Sequence, residues 1–166
     1  MSVKESIANT EVVRSLKHYG FSAHKLSDVM GSRFTSSKPC DIIAQSPKGR
    51  YIAIEGKMMT KLSNFNEAWL RPNQVIALDA CVRLKGRAFV FLYVRVRGDR
   101  EKGTSGICKL VVLDWKIHRE ALKGKGYGVD LIRAQSVGVW LDPLHDEDKK
   151  IIWPLKNLLH KDFNHL

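Results

Sequence analysis

Apolar and polar positions alternate between two periods along this chain, and the change of period marks its elements. In "VKESIANTEVVRSLKHYGF" the residues Ile7, Ala8, Val12, Val13 and Leu16 recur at spacings near three and four, which predicts an amphipathic helix with Gly20 as its stop. A short run, "FSAHKL", follows, and then "GSRFTSSKP", polar and turn-rich, reads as a loop. Next come "CDIIAQ" and "YIAIEGKMM", two β-branched runs of strand length joined by "SPKG", which predicts a hairpin. A second helix is expected to begin at Pro72, where a missing N–H costs nothing, and to end at Gly86, with Val75, Leu78 and Val82 as its buried stripe. "AFVFLYVRV" and "GICKLVVLDW" are nearly continuous apolar runs and read as buried strands, separated by the polar "RGDREKGTS". Beyond them "WKIHREALKGKGYGVDLI" and "IIWPLKNLLHKDF" read as shorter helices and strand ends. Trp115, Trp140 and Trp153 are expected in the core.

These elements, with 166 residues and 44% hydrophobic content, predict one domain spanning 1–166. The net charge of +11 points to a polyanionic partner, because lysine and arginine that neutralise phosphates release condensed counterions. Cys40, Cys81 and Cys108 are odd in number and widely spaced, so they indicate neither a disulfide framework nor a zinc knuckle. The six histidines show no paired ligand spacing. The N-terminal stretch lacks the apolar core of a signal peptide, and no run of about 18 apolar residues occurs. The expectation is a cytoplasmic protein of a prokaryotic or phage-infected cell.

The hairpin carries ionisable groups where buried strands ordinarily have none. Side chains at i and i+2 of a strand share a face, so Glu55 and Lys57 project together, and Asp41 begins the partner strand. Two carboxylates beside an ammonium suit Mg²⁺, a hard cation that keeps several waters and takes few protein ligands. The plainer alternatives are an exposed ion pair of Glu55 with Lys57 and a turn-forming Asp41.

The run Pro39, Cys40, Asp41 followed by Glu55-Gly56-Lys57 resembles the PD-(D/E)XK nuclease signature, with Cys40 standing between the proline and the acid. "KHYGFSAHKL" resembles the helix end and first strand of archaeal Hjc-type Holliday junction resolvases. "NFNEAWLRPNQVIAL" with "GRAFVFLYV" is similar to RecU-type resolvases, as is "LVVLDWKIHREAL". The resemblance implies an α/β, restriction-endonuclease-like core, a central mixed β-sheet flanked by helices, with the site at one sheet edge. It implies an Mg²⁺-dependent endonuclease, with Mn²⁺ as a substitute, acting as a homodimer on four-way junctions or other branched duplex DNA.

The roles implied are metal ligation by Asp41, Glu55 and the Gly56 carbonyl, water orientation by Lys57, and an approach of Gln74 to the DNA or the metal-bound water. A further acid from the first helix is implied, for which Glu5 and Glu11 compete, Glu5 sharing a face with Asn9. Arg33, Ser36, Ser37, Lys38, Lys61 and Arg71 are the expected DNA contacts, since basic and hydroxyl groups together suit phosphate. The span from Leu26 to Pro39 leaves no room for the long stalk of RecU-type enzymes. A sequence-specific homing, restriction-type or repair endonuclease of the same fold therefore stays open, as does a non-catalytic basic DNA-binding protein.

Overall fold

The computed structural model describes residues 3–27, 38–61, 63–98, 101, 105–123 and 138–156. Helix α1 (Val3–His18) leads into strand β1 (Ser22–Lys25). The turn between them is a helix stop in which Gly20, at φ 81°, takes the left-handed position; the Phe21 N–H reaches Leu16 O at 3.0 Å and the Gly20 N–H reaches Lys17 O at 3.0 Å. Strands β2 (Ile42–Gln45) and β3 (Tyr51–Met59) form the expected hairpin, closed by Gly49 at φ 80° and by the Ser46 N–H on Arg50 O at 2.9 Å. Helix α2 (Pro72–Arg83) begins at the proline. Strands β4 (Arg87–Val96) and β5 (Ile107–Asp114), helix α3 (Trp115–Leu122) and strand β6 (Val139–Leu141) complete the main body, and β7 (Leu144–His145) with β8 (Ile151–Ile152) makes a small second ribbon.

The main sheet has the order β1-β2-β3-β4-β5-β6. Among the described strands only β3 and β4 pair in parallel, and α2 is the crossover that parallel strands require. The expected α/β architecture, a mixed sheet flanked by helices, is what the chain adopts. Side chains alternate across β4: Phe89, Phe91 and Tyr93 enter one core with Ala8, Val12 and Leu16 of α1, while Val90, Leu92 and Val94 enter a second with Leu78 of α2 and Trp115 of α3. Both layers being covered explains why β4 reads as one apolar run rather than an alternating one. Trp115 and Trp153 are buried as expected, and Trp140 is half-buried against the second core.

Several expectations are corrected. Ile7 is 52% exposed and stands off the α1 stripe, because Ala8, Val12 and Leu16 at exact multiples of four already define the face toward the sheet. At the end of α2 the left-handed residue is Lys85 (φ 62°), not Gly86. Gly86 follows it, where a Cβ would lie 2.7 Å from Cys81 Sγ. The loop tract 28–37 and the glycine-rich stretch 124–137 lie outside the described residues, as does half of the β4–β5 connection.

The second ribbon is joined to α1 by a buried polar contact: Ser15 Oγ accepts from the Trp153 N–H at 2.8 Å and donates to Glu11 O at 2.8 Å. Ser15→Ala leaves that N–H without an acceptor in a dry site, and a loss of about 1–3 kcal/mol in denaturant unfolding is expected.

Candidate active site

Asp41 lies one residue before β2, whose register pairs Ile42 with Ile54, and this sets the Asp41 position beside Glu55. The two carboxylates are 1% and 0% exposed. Asp41 leads into the second and Glu55 stands on the third of the sheet's six described strands, so the site occupies the sheet interior and not an edge strand. Asp41 is held by its own backbone, whose N–H donates to Ile54 O at 3.1 Å, and by the Gly56 N–H, which donates to Oδ2 at 3.0 Å.

Glu55 and Lys57 do share a face, with Lys57 Nζ 2.8 Å from Glu55 Oε1. Gln74, fully buried in the first turn of α2, joins them. Its Nε2 donates to Glu55 Oε1 at 2.5 Å, while its Oε1 accepts from the Arg71 N–H at 2.8 Å and from Lys57 Nζ at 3.4 Å. Because the peptide N–H and the ammonium only donate, the amide orientation follows from its neighbours. Glu55 Oε2 is buried and has no hydrogen-bond partner among the described residues.

Burial, reinforced by the Asp41 carboxylate and opposed by Lys57, pushes the Glu55 carboxyl up to about 7. Glu5 is raised by burial first and then by Asp41, with Lys57 and Lys38 opposing, which places it within electrostatic reach of the same cluster. Glu11 instead pairs with Arg95. The two acids of α1 thus lie apart, Glu5 toward Asp41 and Lys57 and Glu11 toward Arg95. The Cys40 thiol is pushed up to about 12 by burial and by the Glu55 charge, so it stays protonated and is no nucleophile at neutral pH.

Two features were not anticipated from sequence. Lys38, expected among the DNA contacts, lies in the cluster itself, with Nζ 2.6 Å from Asp41 Oδ1. On the opposite face of β3, Tyr93 Oη donates to Asn9 Oδ1 at 2.6 Å, both residues being fully buried, and this pair packs directly on Gly56. An asparagine beside the apolar stripe of α1 and a single hydroxyl within "AFVFLYVRV" were the available signals. Lys61 and Arg71 are exposed at the two ends of the segment between β3 and α2, whereas Arg33, Ser36 and Ser37 lie outside the described residues.

The donor set is all oxygen and includes one carboxylate oxygen without a partner among the described residues, which fits a hard divalent cation. Among the described residues no group of three or more His, Cys, Asp or Glu side chains is placed to hold a metal ion.

The chain matches no protein-family model and no curated protein sequence. Among solved structures it is similar to Hjc of Archaeoglobus fulgidus, a Holliday junction resolvase from an archaeal hyperthermophile. The two are 22% identical with a TM-score of 0.38, over 63% of this chain and 74% of that one. Among the described residues no helix is long and apolar enough to cross a membrane.

Proposed function

We propose that this chain is a single-domain, Mg²⁺-dependent DNA endonuclease of the Holliday junction resolvase kind, working as a homodimer. The observation that carries the reading is the burial of Asp41 and Glu55 side by side, each paired with a lysine, on adjacent strands where an ordinary sheet would place apolar residues. Burying carboxylates costs stability, and an arrangement that keeps Glu55 desolvated beside another acid is the pattern of a functional site.

The cation would be held by Asp41, Glu55 and the Gly56 carbonyl. When bound, it supplies polarisation of the scissile phosphate and a more acidic water. The chain's own groups do the rest. Gln74 fixes the Glu55 carboxylate from the side and keeps Lys57 close to it. Lys57, at the less buried rim of the cluster, directs an ammonium at the attacking water or at the charge growing on the phosphate. Glu5 adds negative charge from α1, and the exposed Lys61 and Arg71 offer phosphate contacts next to the site. The excess of 28 basic over 17 acidic residues favours a DNA partner. A four-way junction presents two symmetric scissile strands, which a two-fold dimer matches.

The test compares nicking of a synthetic four-way junction with nicking of linear duplexes of many sequences, using wild type and Asp41→Asn. The expected result is Mg²⁺-dependent cutting of the junction, reduced roughly 10³-fold in the variant with DNA binding retained. Cutting of linear duplex at one sequence with junctions ignored would transfer the same chemistry to a restriction-type or repair substrate. Full activity in Asp41→Asn would remove the nuclease reading and leave a basic DNA-binding protein.

A further inference from the structure

Two lysines, not one, meet the carboxylate pair. Lys57 comes from the same strand as Glu55, but Lys38 comes from the segment leading into β2, and its side chain is only 4% exposed. A lysine stem can usually carry its ammonium out to water, so one held this deep is held by its anionic partner. Its backbone is fixed as well: Asn73 Nδ2 donates to Lys38 O at 2.9 Å. The first turn of α2 therefore sets both ion pairs, Asn73 anchoring the Lys38 backbone and Gln74 the Glu55 side chain.

The oxygens of the two acids are used differently. Asp41 Oδ2 accepts from the Gly56 N–H and Oδ1 meets Lys38, whereas Glu55 Oε2 has no hydrogen-bond partner among the described residues. With both lysines in place, the pair of carboxylates is balanced charge for charge. A divalent ion seeking Asp41 then meets an ammonium already seated on Oδ1, and two cations against one buried oxygen repel strongly.

We propose that Lys38 is a tethered cation that occupies Asp41 Oδ1 and is displaced when a divalent metal ion binds, so that it limits the site's affinity for the metal. This rests on the metal-dependent nuclease reading. Lys38 is in this view a positioning residue that holds Asp41 Oδ1 in place before metal arrives.

Mn²⁺ is titrated calorimetrically into the full chain, wild type and Lys38→Met, methionine keeping the buried stem without its charge. The variant is expected to bind Mn²⁺ about tenfold more tightly or better, since removing a unit charge within a few ångströms is worth at least that much. Independently, in wild type, reductive methylation of lysines read by mass spectrometry is expected to spare Lys38 without metal and to label it once Mn²⁺ is present. This second readout decides alone if circular dichroism shows Lys38→Met to be unfolded. Equal affinities, with Lys38 protected whether or not Mn²⁺ is added, overturn the displacement proposal and leave the nuclease reading standing. Absence of Mn²⁺ binding in both proteins removes the metal reading and this proposal together.

Discussion

Glu55→Gln should abolish cleavage and stabilise the protein at the same time. The loss of activity follows from the side chain's place: its Oε1 organises Lys57 and Gln74, and its buried Oε2 has no partner among the described residues. A reduction of about 10³-fold or more in single-turnover rate is expected for loss of an electrostatic group at the reacting phosphate. The gain in stability follows from the raised carboxyl. In the unfolded chain Glu55 titrates near 4.5 and in the folded chain near 7. Between those values the folded state holds the extra proton, so wild-type stability falls as pH climbs through the window and stays low above it. The difference corresponds to about 3 kcal/mol on the alkaline plateau. Urea unfolding of Glu55→Gln should therefore exceed wild type by about that amount at pH 8, and the advantage should vanish below pH ~4.5. Glu5, also raised by burial, remains in the variant and leaves a smaller slope of the same sign. A variant that is less stable than wild type at pH 8 would mean that Glu55 is a structural ion pair and not a strained functional acid.

The second large effect is expected at Gly56, from the other face of the same strand. A Cβ there would lie 2.3 Å from Asn9 Oδ1, 2.7 Å from Tyr93 Cε2 and 3.0 Å from Tyr93 Oη. Both neighbours are fully buried and bonded to each other, so neither has solvent to move into. Gly56→Ala must push α1 away from the sheet and break the Asn9–Tyr93 hydrogen bond. Overpacking costs about 1–3 kcal/mol and a broken buried hydrogen bond a similar amount, so a loss of roughly 4 kcal/mol is expected in urea unfolding. Because Gly56 also donates its N–H to Asp41 Oδ2, cleavage should fall with it. Asn9→Ala opens the space the methyl needs, and the double variant should be more stable than the sum of the single losses predicts. Simple additivity would show that Gly56 and Asn9 do not share one packing site.

How much of this was legible in the sequence depended on how local each cause is. The helix start at Pro72, the Gly49 turn and the shared face of Glu55 and Lys57 are set by residues within a few positions, and each was readable. The α1 stripe was readable except for Ile7, since adjacent Ile7 and Ala8 both fit a helical spacing and only the packing against β3 and β8 selects between them. The Lys38–Asp41 pair was not readable for a statistical reason: lysine is a surface residue unless paired, and this pairing depends on the path of a segment with no regular pattern. The Asn9–Tyr93 contact spans 84 positions, and no local periodicity reports such a pair. Strand order was equally out of reach, because the crossover that makes β3 and β4 parallel moves the acids to the sheet interior.

The central claim is that a divalent ion and the charged cluster on β2 and β3 cleave DNA together. Its most direct test is a single-turnover nicking assay on a labelled four-way junction, run across a Mg²⁺ titration with wild type and Lys57→Ala side by side. Strand cleavage that rises with Mg²⁺ in wild type, and falls at least about 10²-fold in Lys57→Ala at saturating Mg²⁺, is the predicted result. Equal cleavage by the two proteins, or cleavage indifferent to Mg²⁺, would contradict it.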